Sequence, residues 1–429
     1  MKPAQIKSIS SGDGKLRELS LKELIHIPLN KGYSHHTIHQ SATNPINDTS
    51  VNFGIMAPIS EFPVYSAEII AAADMAANFV NQNGGIDGRR LVILRADDKE
   101  NTPVSARLAR ELVDKYRVEA IIGPATSNSV VDVLQQVTIP NNIPLITQSA
   151  SSMVLTDIGG KHAFWRMVAN NQQQLDLMTD FIHKKSGHRR IFLITGRDIY
   201  SQEIASGLKA YFSEVSNGWV EHLAISDLVH LGGMDLLSEI KMVQKQKATA
   251  VIITLTNAQV KDMIKKIRRH WLGKYPLILV GDTVTPKYLI DSNPGDISAC
   301  IFSFVGTQQD MDKSLSLNIA EAITTKATGF DGAYIYDSTM IMAMAKVLAK
   351  EFDLSTKEAV NLIASDGYPI NYSDFPKIIE LYRQHKKFSY TGFSGRVLFD
   401  ELGNNLTAYA KIYSIAEDPA ESKKACVTP

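Results

Sequence analysis

Between residues 51 and 281 the chain alternates between short runs rich in Val, Ile and Leu and longer segments in which apolar residues recur every three to four positions. A strand-length run followed by a helical period is how βαβ units look in sequence. No other feature constrains the fold as strongly, because strands joined by helical crossovers must run parallel, with the right-handed crossover returning the chain to the same edge. The pattern predicts strands over 51–56, 91–96, 120–123 and 144–148, with helices over 67–81, 104–116 and 129–137 between them. A second series predicts helices over 175–185, 202–215, 236–246 and 258–271, and strands over 191–195, 220–225, 250–255 and 277–281. Two series imply an α/β fold of two doubly wound parallel-sheet lobes.

Simple alternation then stops. A helix over 333–351, helical stretches near 355–364 and 375–385, and a β-rich end over 393–415 predict a third segment that completes one or both lobes. The first fifty residues are polar, rich in Ser, Asn and His, and weakly periodic, which reads as an arm or linker adding no strand to either sheet. His35, His36 and His39 lie there without a Cys or carboxylate at fixed spacing, so a solvated tail is favoured over a metal site.

The chain's 429 residues leave room for two to three domains, and its 45 basic residues balance 45 acidic ones. With no net basic field there is no pull on nucleic acid, and any ligand must be held locally. The two cysteines, Cys300 and Cys426, are too few for a disulfide framework and lack zinc-site spacing, so both are expected to be bland. No apolar run approaches the roughly 18 residues of a membrane span. The broken, charged stretch around Leu19 to His26 does not read as an export signal.

In an open parallel sheet, ligands bind beyond the carboxyl ends of the strands, so the residues that follow each predicted strand matter most. Pro124-Ala125-Thr126-Ser127-Asn128-Ser129 is a hydroxyl-rich approach to a helix whose free amides suit a carboxylate, although plain N-capping uses the same residues. Gln148-Ser149-Ala150-Ser151-Ser152 is a second hydroxyl cluster on the same edge. In the other series, Tyr200 lies just ahead of a predicted helix, and Asp282 follows the strand ending at 281. A surface aromatic and a structural cap are the competing readings of those two. Together the four offer hydroxyls and amides for a carboxylate, an anion for an ammonium and an aromatic wall, which suits a small zwitterion. Catalytic alternatives lack support: no GxGxxG follows a strand, Gly159-Gly160-Lys161 is not a phosphate loop, and neither GxSxG nor HExxH occurs. We expect no enzyme, no cofactor and no metal.

Four stretches carry a family resemblance. They are Asn52-Phe53-Gly54-Ile55-Met56-Ala57-Pro58, the turn Asn83-Gly84-Gly85-Ile86-Asp87-Gly88-Arg89 with Asp97-Asp98, Ile121-Ile122-Gly123-Pro124 with its serine loop, and Gly395-Arg396-Val397-Leu398-Phe399-Asp400-Glu401-Leu402-Gly403. From about 51 to 415 the chain resembles a type I periplasmic binding protein of the leucine/isoleucine/valine-binding kind, the substrate-capture component of ABC importers. The resemblance implies two lobes joined by a three-crossover hinge that closes on ligand. Lobe one would hold 51–170 and 306–405, and lobe two 171–305 and 406–418, with an arm over 1–50 and a tail over 419–429. It also implies a ligand-binding set. Ser127 falls at the carboxylate-binding serine, Ser149 and Ser151 at the second loop, and Tyr65 near the ligand side chain. Tyr200 falls at the lobe-two aromatic, Thr256 where a ring is common, and Asp282 at the ammonium's partner.

The implied function is capture of a small zwitterion such as an amino acid and its delivery to an ABC permease, outside the cytoplasm. The alternative is a cytosolic ligand sensor resembling the amide-binding regulators of the same fold, acting through a partner protein. Asp282 discriminates between them, since an amide needs no anionic partner and an amino acid does.

Overall fold

The computed structural model describes residues 38–40, 50–225, 236–284, 286–308, 331–416 and 426–427. The first sheet contains β1 (Ile38–Gln40), β2 (Val51–Ala57), β3 (Leu91–Asp97), β4 (Ala120–Ile122), β5 (Leu145–Thr147) and β6 (Phe164–Arg166). Their order is β1-β3-β2-β4-β5-β6. All neighbours run parallel except β1, which pairs antiparallel with β3, setting Ile38 opposite Ala96.

The second sheet contains β7 (Arg190–Thr195), β8 (Trp219–Ala224), β9 (Ala250–Thr254), β10 (Leu277–Val280), β11 (Ile301–Gln308) and β15 (Ala408–Ser414). Its order is β15-β11-β10-β9-β7-β8, with only β15 antiparallel. A small third sheet joins β12 (Tyr368–Ile370), β13 (Phe388–Gly392) and β14 (Gly395–Arg396). The chain passes between the two large sheets three times: after β6, between β11 and residue 331, and between β14 and β15.

Both faces of each large sheet are covered, which is why the strands read as continuous apolar runs. In β9, Val251 and Ile253 enter one core while Ala250 and Ile252 enter the other; Phe192 and Ile194 of β7 divide from Ile191 and Leu193 in the same way. In the first sheet Phe53 and Ile55 face one core and Met56 the other. The largest core also takes in the helix Asp331–Glu351, in which every residue from Gly332 to Ala345 is buried. A helix buried all round is a central helix rather than a surface one. Its Asp337 is buried among β13 and β14, accepting from Tyr390 Oη at 3.0 Å and from the Ser394 amide at 2.6 Å. Gly392 makes that approach possible, because a Cβ there would overlap the Asp337 carboxylate.

Three expectations change. The arm contributes a strand after all: β1 covers the edge of β3 over three residues, a pairing too short to leave an apolar period. The remainder of 1–49, including His35 and His36, lies outside the described residues. Cys300 and Cys426 are not bland but form a disulfide across 126 residues of sequence, beside a bridge from Tyr275 to Cys426. Nothing in local spacing reveals such a pairing. The strand β11 also continues to Gln308 in the second sheet, past the boundary drawn at 305 and 306.

Candidate ligand-binding site

The sheet order marks a candidate crevice before any side chain does. In β3-β2-β4 the chain leaves β2 toward one edge and returns to β4 on the other side, so the loops after β2 and β4 diverge and leave a crevice at the strands' carboxyl ends. The same reversal occurs at β8-β7-β9. The loop after β2 feeds the helix Pro63–Gln82, which presents Tyr65, and the loop after β4 feeds the helix Ser127–Val133. The loop after β7 feeds the helix Ile199–Glu214 with Tyr200, and β9 leads to Thr256.

Local rules fix each of these positions. Asp198 N-caps its helix by accepting from the Ser201 amide at 2.9 Å, which places Tyr200 in the first helical turn rather than ahead of it. Asp282 stands just beyond β10, after Gly281, whose amide continues the ladder to Ile253 O at 2.9 Å. A side chain at 281 would press on Thr254 Cγ2 and Tyr200 Oη, both 3.1 Å from its Cβ, so glycine lets the tyrosine approach the strand end.

Asp282 Oδ2 accepts from Gln174 Nε2 at 3.0 Å. Burial pushes the Asp282 carboxyl above its usual range, opposed by hydrogen bonding to Tyr200 and Gln174. Burial, and then the Asp282 charge, push the Tyr200 phenol well up. The Tyr200 hydroxyl is buried beside that carboxylate with no hydrogen bond of full geometry, and Gln174 Oε1 is buried without a partner. Across from them, Tyr65 Oη accepts from Gln148 Nε2 at 3.4 Å and faces Asp331. Burial raises Asp331 to about 6, with Tyr65 opposing the rise and Asp282 adding to it. Asp282 follows β10 of the second sheet, whereas Asp331 opens the helix Asp331–Glu351 of the core that contains Phe53 and Ile55 of the first. No cationic side chain is paired with either among the described residues.

The serines divide. Ser127 Oγ accepts from the Ser152 amide at 3.3 Å, and Ser149 Oγ donates to Ala125 O at 2.9 Å. Ser151 is buried, and its hydroxyl has no protein partner among the described residues. Thr256 is exposed and N-caps the helix Asn257–His270, its hydroxyl donating to Gln259 Oε1 at 3.2 Å. Tyr65, Tyr200 and Asp282 thus share one neighbourhood, with the serine loops on the first sheet's edge.

Gln148, Gln174, Asp331 and Glu203 were not singled out from sequence. Glu203 crosses between the sheets. Its carboxylate accepts from Ser152 Oγ at 2.6 Å, the Met153 and Val154 amides at 2.9 and 3.2 Å, and Asn171 Nδ2 at 2.6 Å. Nearby, Asn128 Oδ1 accepts from the Ile199 amide at 2.9 Å. A glutamate inside a helical pattern gives no sequence signal for such a role; Asp331, two residues before the predicted helix at 333, could have been found as a carboxylate at a helix start.

Residues 51–417 match the family described as periplasmic binding protein. The chain belongs to the periplasmic binding protein family. Among its curated relatives is the Leu/Ile/Val-binding protein BraC3 of Rhizobium johnstonii, 22% identical over 208 residues, a match covering 48% of this chain and 55% of that protein. The match thus spans about half the length of that relative. In three dimensions this periplasmic binding protein is similar to a leucine-binding protein, LivK, of Thermotoga maritima, with a TM-score of 0.65 at 18% identity, covering 84% of this chain and 94% of the other. It is also similar to the branched-chain amino acid substrate-binding protein LivJ of Streptococcus pneumoniae, solved with isoleucine, with a TM-score of 0.64 at 18% identity, covering 85% and 100%.

Proposed function

We propose that this periplasmic binding protein is a non-catalytic receptor that captures an amino acid between its two lobes by hinge closure and delivers it to an ABC permease. The observation that carries the reading is the Asp282 carboxylate beside Tyr200, unpaired with any cation among the described residues. Asp282 is half-buried, and a partly desolvated anion left in that state is costly, a cost that a ligand ammonium relieves. Ser151, with a free hydroxyl on the opposite edge, is the best placed of the predicted serines to meet the ligand carboxylate, and Ser127 and Ser149 shape its loop. Tyr65 and Tyr200 close on the ligand from the two lobes, while Thr256 lines the outer rim. The amino-acid ligands named for the relatives agree with this reading.

The lobes would comprise 38–40 and 51–170 with the segment from 331 to about 405, and 171–308 with 408–416. The Cys300–Cys426 disulfide supports an extracytoplasmic setting over a cytosolic sensor, because such bonds persist where the environment is oxidising. A thermal-shift screen over amino acids, neutral amides, urea and short peptides tests the function. A ligand at a hundred times its Kd adds about 2.7 kcal/mol of stability. Stabilisation by amino acids is expected; stabilisation by neutral amides alone would overturn the reading in favour of a sensor.

A further inference from the structure

A simple zwitterion brings one ammonium, whereas two carboxylates, Asp282 and Asp331, lie in this neighbourhood. Asp331 opens the helix Asp331–Glu351, and its place is fixed by the neighbouring Gly332 amide, which donates to Glu68 Oε1 at 3.3 Å, one helical turn beyond Tyr65. It therefore lies on the first lobe's side, facing Tyr65, while Asp282 is held from the other side by Gln174 at 3.0 Å. One further group in the same place lacks a partner: Gln148 is fully buried with its Nε2 on Tyr65 Oη and its Oε1 unpaired, while the Tyr200 hydroxyl, on a residue 8% exposed, lies against Asp282.

Charge decides which ligand completes such a site. A neutral amino acid brings one ammonium and one carboxylate, so it leaves the two aspartates as far from neutrality as before. A ligand with a second ammonium reduces the net negative charge, and its extra N–H groups can reach Gln148 Oε1 or Tyr200 Oη, which accept hydrogen bonds. Resting on the amino-acid reading above, we propose that the site selects an amino acid with a cationic side chain, its α-ammonium on Asp282 and its side-chain cation on Asp331.

Calorimetry with lysine, ornithine, leucine, isoleucine and 1,5-diaminopentane tests the assignment. The wild-type protein is expected to bind lysine or ornithine at least about 30-fold more tightly than leucine, the scale of one buried charge partner. Asp331→Asn should weaken lysine at least about 10-fold more than leucine and so remove most of that preference, and Asp331→Glu should retain it. Leucine or isoleucine binding as tightly as lysine in the wild type would overturn the inference while leaving the amino-acid reading intact, and needs no variant to fold. An equal loss for lysine and leucine in folded Asp331→Asn would also overturn it. Binding of the diamine alone, with no amino acid bound, would overturn both.

Discussion

Truncating Glu203 to alanine tests whether the contact between the sheets is a latch that ligand binding closes. In the structure the Glu203 carboxylate accepts four hydrogen bonds, three of them from Ser152, Met153 and Val154 beyond the end of β5. Not all four donors are stranded by the change, because the Val154 amide also reaches Ser152 Oγ at 3.2 Å. The Met153 amide loses its side-chain acceptor, and Asn171 Nδ2 keeps only Tyr200 O at 3.5 Å. The buried Arg166, lowered to about 10 by desolvation, loses a charge that counteracts the lowering and keeps only Asp400 in that role. Hydrogen bonds to a charged group contribute about 1.5–3 kcal/mol each, and truncating one partner of a buried charged network costs about 2–5 kcal/mol. If closure forms these bonds, the loss falls on the liganded state, and 2 kcal/mol at 1.4 kcal/mol per decade weakens Kd by about 30-fold. Calorimetry with the amino acid that gives the largest thermal shift measures this, and a melt of the unliganded protein should change little. A drop of several degrees in the unliganded Tm with Kd unchanged would refute the latch and make Glu203 a staple of the fold.

Asp282→Asn should weaken an amino acid by about 2–5 kcal/mol, measured by calorimetry, and a neutral amide far less, because only the ammonium loses its anion. Cys426→Ser opens a crosslink spanning 126 residues, for which chain entropy gives an upper bound of about 5 kcal/mol. Its Tm should fall, and reductant should lower the wild type to match it; a reductant-insensitive wild type would contradict the bond. Asp331, raised to about 6 against an unfolded value near 3.9, stabilises the unliganded fold most below pH 4 and loses that contribution as pH rises through 6. Affinity for a cationic amino acid should run the other way, weaker at pH 5 than at pH 7.5 by calorimetry, because only the ionised carboxylate pairs with the ligand.

The parts of the molecule legible in sequence are those set by local periodicity. Runs such as Ala250–Thr254 declare a strand buried on both faces, and the 3.6-residue pattern that follows declares the crossover, so the two parallel sheets follow from the order of segments. β1 is illegible because three edge residues need no apolar period to pair. The Cys300–Cys426 bond is illegible because it closes over 126 residues, and residues 417–425, which lead into Cys426, carry no pattern that points toward Tyr275.

The site divides along the same line. Tyr200 and Asp282 could be singled out as candidates because each follows a strand in a parallel sheet, where topology alone opens a crevice. Gln174 and Glu203 could not, because each sits within a helix and meets a partner far off in sequence: Gln174 reaches Asp282 within the second lobe, and Glu203 reaches across to the loop after β5. Asp331 follows the second passage between the sheets, so Tyr65, which it faces, is 266 positions away in sequence. No window of sequence holds both ends of such a contact. Strand ends therefore announce Tyr200 and Asp282, whereas Gln174, Glu203 and Asp331 come from helices whose position only the assembled lobes define.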